Sequence, residues 1–262
     1  MRESILKKYL ISIETYDSPR LEKFFSQSIF HKYRNEFIKF GIKGKDLTVN
    51  EYFDLAISGQ KKALSPGELG CTLSHVEALK NFIQSNEKYA LVLEDDAIQI
   101  QDLDLKQLEF EVEKLNLKDC FFMSLGGIQL KVNDRIYGKI QKIKIYNKNI
   151  LKLHNFSISN LSYTYAYIVD REMAKVLIDY HQKPHVCDQW DELYQFNSNI
   201  NFYATFLFDH PEIENHTPAT SSIEFERKKL SEKNRTERNF LEKMNRSLKK
   251  RWLKLFYETY RN

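Results

Sequence analysis

Apolar residues in this chain fall into short continuous runs separated by longer stretches of helical periodicity. Five runs read as strands: about 8–13, Tyr89–Leu93, Cys120–Leu125, Tyr163–Val169 and Ile200–Phe208. Each is short, rich in β-branched or aromatic residues, and free of the polar alternation expected of a half-exposed strand. Gly126-Gly127 stops the third. Between them, Leu21–Phe40 reads as helical with Phe24, Phe25, Ile29, Phe37 and Ile38 as core contacts. Val76–Gln84 and Arg171–Tyr180 read as helices too, Val76, Leu79, Lys80 and Ile83 following helical spacing. Residues 41–66 are mixed, and 128–156, rich in Lys, Ile and Asn, predict an excursion of strands and loops. Strands alternating with helices predict an α/β fold with a mostly parallel central sheet flanked by helices.

Composition bounds this picture without changing it. At 262 residues, 42% hydrophobic and 13% aromatic, the chain can bury one real core and an appendage. Only 8 Gly and 5 Pro argue against low complexity or a repeat fold. No apolar run approaches the ~20 residues of a membrane span. Met1-Arg2-Glu3-Ser4 lacks the apolar stretch of a secretory signal, so a cytoplasmic setting is expected. Three cysteines, at 71, 120 and 187, cannot all pair internally and predict free thiols in a reducing compartment.

Charge does change the picture. The net charge is +4, but 224–262 carries 13 Lys and Arg against 6 Asp and Glu, while 1–223 carries 27 against 30. The basic character belongs to the tail. We therefore divide the chain into a domain over 1–223 and a basic amphipathic helical tail over 224–262. Leu241, Met244, Leu248, Trp252 and Leu255 form a stripe at helical spacing, crowded by Arg246, Lys249, Lys250, Arg251 and Lys254. Such a helix suits an anionic membrane surface, or packing on the body or on a second subunit as a homo-oligomer contact.

The candidate chemistry centres on Glu94-Asp95-Asp96, which follows the Tyr89–Leu93 run. Three carboxylates at the carboxyl end of a buried strand sit where open α/β sheets bind ligands. They would hold a divalent cation, and a cation suits a diphosphate. The competing reading is a solvated acidic turn or a helix cap. Upstream, Gly67-Glu68-Leu69-Gly70-Cys71-Thr72-Leu73-Ser74-His75 leads into a helix, where two glycines permit close backbone approach and a helix start can receive phosphate.

This nine-residue segment, followed after about twenty residues by Leu91-Val92-Leu93-Glu94-Asp95-Asp96-Ala97, resembles glycosyltransferase family 25. That family contains bacterial lipopolysaccharide and lipooligosaccharide glycosyltransferases, many of them galactosyltransferases. Looser likenesses at Tyr9–Ile13, Ser18–Arg20, Phe40–Gly44, Thr164–Ala174 and Pro184–Asp188 extend the resemblance over roughly 8–222, with a poor match at about 100–160. The resemblance implies the GT-A variant of the fold. It also implies inverting transfer of a hexose, galactose foremost, from a UDP-sugar to a lipid-linked core oligosaccharide.

Such transfer needs a neutralised diphosphate and a deprotonated acceptor. Asp96, with Glu94 and a late histidine, His210, is the candidate cation set; Mn²⁺ is implied by the resemblance, and Mg²⁺ fits the same oxygen ligands. Arg20, Glu68, His75 and Asp95 are the candidate donor contacts. Asp188 is the candidate base, with Asp191 and Glu192 as neighbours in the same role, and Trp190 offers a face for a sugar ring. Each has a plainer reading: Glu68 and Asp188 as helix caps, His75 as a structural residue, His210 and His216 as part of a polar loop, Cys71 as packing. Two other functions share some features. A metal-dependent phosphoryl or nucleotidyl transferase would use the carboxylates, but no Gly-x-x-x-x-Gly-Lys occurs. A nucleic-acid binder would use the tail, but the body is net acidic, so no nucleic-acid partner is expected.

Overall fold

A computed structural model describes residues 4–126, 136–190, 192–211 and 251–260. One mixed sheet runs through it, built from β1 (Leu6–Ile11), β2 (Phe37–Phe40), β3 (Tyr89–Glu94), β4 (Ile98–Gln99), β5 (Phe121–Gly126), β6 (Tyr137–Ile140), β7 (Leu151–Leu153), β8 (Ala166–Asp170), β9 (Asn201–Asp209) and β10 (Glu258–Thr259). The spatial order is β10-β6-β7-β9-β5-β8-β3-β1-β2, with β4 pairing β9 beside this path. The helices that matter for the site are α1 (Pro19–Phe25), α2 (Ser28–His31), α3 (Val49–Tyr52), α4 (Pro66–Gln84), α5 (Leu105–Leu115), α6 (Asn155–Ile158), α7 (Arg171–Tyr180) and α8 (Leu193–Phe196).

The strands have two buried faces, and their alternation sorts side chains between two cores. Leu91 and Leu93 of β3 join Leu6, Leu10, Phe24, Phe30, Leu108 and Ile168 on one side. Ala90 and Val92 join Tyr9, Phe82, Tyr167, Met173 and Leu177 on the other. Helices α1, α2 and α5 cover the first face, and α4 and α7 pack together over the second. Burial on both faces explains why these strands read as unbroken apolar runs.

The expectation of a mostly parallel sheet is corrected. The pairs β1–β2, β1–β3 and β5–β9 are parallel. The pairs β3–β8, β5–β8, β7–β9, β6–β7, β4–β9 and β6–β10 are antiparallel. The decisive strand is β8, inserted in reverse between β3 and β5. An apolar run covered on both faces has the same composition whichever way it points, so periodicity carries no information on direction.

Two element boundaries also differ from the expectation. The single helix over Leu21–Phe40 is instead α1, α2, a 3₁₀ turn at Arg34–Glu36, and β2. The aromatic, β-branched segment Phe37–Phe40 pairs in parallel with β1 and so becomes a strand. Helix α4 begins ten residues before Val76, at Pro66. Ser65 Oγ accepts from the Glu68 N–H at 3.2 Å, and the Glu68 carboxylate accepts from the Ser65 N–H at 2.9 Å, a capping box with proline in the first turn. Both glycines therefore lie inside the helix, and a Cβ at Gly70 would meet Ile42 O at 2.5 Å and Gly44 N at 2.7 Å. The close approach foreseen for a phosphate is made here by the chain's own backbone.

Leu241, Met244 and Leu248 of the tail, and His216 before it, lie outside the described residues. Residues 251–256 are helical and β10 adds to the sheet edge at β6. Leu253 is buried, while Leu255 and Phe256 are 78% and 64% exposed. No helix among the described residues is long and apolar enough to cross a membrane.

Candidate active site

The carboxyl ends of β1, β3 and β9 and the entry to β8 meet at one end of the sheet, because Ile11 pairs with Glu94 and Leu93 with Ala166. Reversal of β8 thus brings Tyr163, Thr164 and Tyr165 to the acidic cluster. Glu94 N donates to Tyr165 O at 2.8 Å and fixes the strand end.

Asp95 and Asp96 are held by Arg20, which α1 presents in its first turn, two residues after its Ser18 cap. Arg20 Nε donates to Asp95 Oδ1 at 2.6 Å, and Arg20 Nη2 reaches Asp96 Oδ2 at 3.1 Å. Ser12 Oγ, just beyond β1, donates to Asp95 Oδ2 at 2.5 Å. Burial nevertheless dominates at Asp95 and raises its pKa despite Arg20 and Ser12. At Asp96 burial also pushes upward, but His210 and Arg20 outweigh it and hold the carboxyl below its ordinary range.

His210 follows β9 and lies between the rings of Tyr163 and Tyr165, with centroids at 5.7 and 5.1 Å. Its Nε2 is 3.2 Å from Asp96 Oδ2, and its Nδ1 is 2.8 Å from Pro211 O. A proton on Nδ1 donated to that carbonyl leaves Nε2 facing the carboxylate, the arrangement of a metal-binding histidine. Burial lowers the His210 pKa, but Asp96 and the Pro211 carbonyl more than offset it, so it stands above the usual value. Asp96 Oδ1 is buried without a hydrogen-bond partner. A buried carboxylate oxygen with no donor is costly, and a cation would satisfy it. The residues present therefore fit a hard divalent cation at Asp96 and His210. Glu94 is turned toward Thr164, whose Oγ1 donates to Glu94 Oε1 at 3.1 Å.

The other candidates surround this network. His75, on α4, is 5% exposed, with Nδ1 3.0 Å from Tyr167 Oη. Its Nε2 is 3.3 Å from Glu94 Oε1, but not aligned for a hydrogen bond. Glu68 is buried in the capping box, two helical turns before His75. Asp188 is half-buried, and its Oδ2 accepts from the Tyr163 N–H at 2.9 Å. This contact holds Tyr163 in the left-handed region, φ 67°. Trp190, proposed from sequence as a sugar platform, is 3% exposed and packs on Phe122 and Phe202, so it belongs to the core. Glu192 pairs with Lys61 at the surface, and Asp191 lies outside the described residues.

Sequence reasoning missed Ser12, Tyr163, Thr164, Tyr165 and Cys187. A polar residue ending the first strand, as the acidic triplet ends another, was the available signal for Ser12. The others come from a strand whose direction the sequence does not give. A polar hollow of about 410 Å³, lined by Lys118, Asp119, Lys152 and Asn201, sits at the amino ends of β5 and β9, the opposite end of the sheet.

No curated protein matches the chain. Residues 5–193 match the model of glycosyltransferase family 25, described as an LPS biosynthesis protein. That span includes β1, α4, the Glu94–Asp96 cluster, β8 and Asp188, and covers well over half of the sequence. The chain belongs to glycosyltransferase family 25.

Proposed function

We propose that the protein transfers a hexose, galactose foremost, from a UDP-sugar to a lipooligosaccharide or lipopolysaccharide core acceptor with inversion. Family membership makes it a glycosyltransferase of lipopolysaccharide biosynthesis, which binds a sugar donor and an acceptor. The observation that carries the finer reading is the Asp95–Asp96 pair, clamped by Arg20 and facing His210, with Asp96 Oδ1 buried and unpartnered. Acidic ligands at the carboxyl end of a central strand, beside a reversed strand, are consistent with a GT-A layout.

Asp96 and His210, with Glu94 beside them, would hold Mn²⁺ or Mg²⁺; when bound, such an ion supplies Lewis acidity to the departing diphosphate. Arg20 adds a fixed positive charge at the same end of the sheet and orients both carboxylates. His75 is a contact for the donor's sugar or phosphate, and Asp95 one for its ribose or sugar hydroxyls. Glu68 supports the donor side from within the α4 cap. Asp188 takes the proton of the acceptor hydroxyl. That oxygen forms the new bond to the anomeric carbon as the bond to diphosphate breaks, and UDP leaves with the electron pair. Attack opposite the leaving group gives a β-linkage from an α-linked donor.

The exposed Leu255 and Phe256 beside Arg251 and Lys254 support reversible attachment to an anionic membrane on the cytoplasmic face, where a lipid-linked acceptor would be found.

A donor screen with metal-depleted and metal-restored protein, read by release of nucleoside diphosphate, tests the assignment. UDP-galactose should be turned over, activity should vanish in chelator and return with Mn²⁺, and Asp96→Asn should abolish it while leaving the fold intact. Full activity of Asp96→Asn would remove the carboxylate from the mechanism. Turnover of only non-uridine donors would overturn the donor assignment.

A further inference from the structure

Behind the acidic cluster lies a second group of ligand atoms, and a metal held there would take the place of direct contact between His75 and the donor. Cys71 and His75 stand four residues apart on α4 and so share a face of that helix. Cys187 comes from the segment before α8, which is tied to α4 where Thr72 Oγ1 donates to His185 O at 2.7 Å. The two sulfurs are 3.4 Å apart. One ligand atom from each of the three residues lies within 4.8 Å of the others. His75 adds an independent sign of a missing partner: its ring is 5% exposed, Nδ1 is engaged by Tyr167, and Nε2 has no hydrogen bond. Glu94 Oε1 stands 3.3 Å from that nitrogen, and Thr164 Oγ1 bridges Glu94 to the Cys187 sulfur at 3.1 and 3.2 Å.

We propose that Cys71, His75 and Cys187 bind one thiophilic divalent cation, zinc foremost, with the Glu94 carboxylate beside its fourth position. In a tetrahedral zinc site the metal lies about 2.3 Å from sulfur and about 2.0–2.1 Å from nitrogen, which places ligand atoms roughly 3.5–3.8 Å apart. The observed sulfur separation needs to change by only a few tenths of an ångström. A disulfide would need the sulfurs to close to about 2.05 Å, a movement of more than 1 Å between a helix and an anchored loop. Two thiolates and an imidazole select a softer ion than the carboxylates of Asp96 do, so this site is chemically distinct from the proposed Mn²⁺ site. A cation here would pin α4, the 184–190 segment and the end of β3 together.

Titration of the full-length, reduced protein with Co²⁺ tests this. The expected result is one equivalent giving the near-ultraviolet thiolate-to-cobalt band and intense visible bands of a tetrahedral site, displaced by Zn²⁺ but not by Mn²⁺. Cys71→Ser, Cys187→Ser and His75→Gln should lose the band. Cys120→Ser, at the far end of β5, and Asp96→Asn should keep it. Absence of a thiolate band, or its persistence in both Cys71→Ser and Cys187→Ser, overturns the site. A second measurement needs no variant: alkylation followed by intact mass, with and without Zn²⁺. Zinc should shield two of the three cysteines. Equal labelling of all three, or a Cys71–Cys187 disulfide in place of metal uptake, overturns the proposal.

Discussion

Asp188 accepts a hydrogen bond from a backbone amide, the Tyr163 N–H, and that sets what a substitution can report. Asn keeps an acceptor for the Tyr163 N–H and so preserves the left-handed turn. Asp188→Asn should slow the chemical step by roughly 10²–10⁴-fold, with the donor dissociation constant little changed. Weakened donor binding with normal turnover at saturation would place Asp188 in the donor site instead. At acid pH a different residue, His181, is expected to matter for stability. His181 ends α7 buried, and desolvation, helped by His185 and His75, pushes its pKa down to about 3. The unfolded chain takes up a proton below about pH 6.5, and the folded chain does not until about pH 3, so folding stability falls as pH drops through that window. His181→Asn should flatten the acid slope by about 2–3 kcal/mol between pH 7 and 4.5 in denaturant titrations, because a tenfold difference in proton affinity between the two states corresponds to about 1.4 kcal/mol. Equal slopes for the two proteins would assign the acid sensitivity to other groups.

At the scale of elements, α4 does two jobs: its capped start docks on the 41–44 segment, and its middle carries Cys71 and His75 to the site. The first job depends on Gly70, where any Cβ would press on the backbone of Ile42 and Gly44. Gly70→Ala should cost about 1–3 kcal/mol of stability despite alanine's better helix propensity, since backbone must move to admit it. A urea midpoint at or above the wild-type value would show that the two segments separate at no cost. The reversed strand β8 matters in the same way. It delivers Thr164 and Tyr165 by its amino end to a place that parallel strands reach only by their carboxyl ends.

For the whole molecule, the end of the chain is both part of the sheet and a surface feature. Strand β10 extends the edge at β6, and Leu253 is buried, whereas Leu255 and Phe256 face outward beside basic residues. These roles separate by substitution. Leu255→Asp combined with Phe256→Asp should leave thermal stability and turnover of a soluble acceptor unchanged, while reducing sedimentation with anionic vesicles. Binding by the native chain should weaken as salt rises, because each basic residue near the surface contributes about 1 kcal/mol and the Debye length shortens. Loss of stability in the double variant would mean that the apolar pair packs on the protein instead.

The sequence by itself located β1, β3, β8 and β9 near the site, because strands buried on both faces must be continuously apolar, as Ala90–Leu93 and Ala166–Val169 are. It also located the acidic cluster at a strand end and the signature that family membership rests on. Serine, proline and glutamate at 65, 66 and 68 marked the start of α4 as a capping box, a local hydrogen-bond pattern legible in principle, although the two glycines pointed to a close approach by phosphate. Only the tertiary structure decided what depends on contacts distant along the chain. Direction of β8, conversion of Phe37–Phe40 into a strand by pairing with β1, burial of Trp190, and the meeting of Cys71 with Cys187 are of this kind. Periodicity reports which faces are buried; it does not report which partner buries them or which way a strand runs.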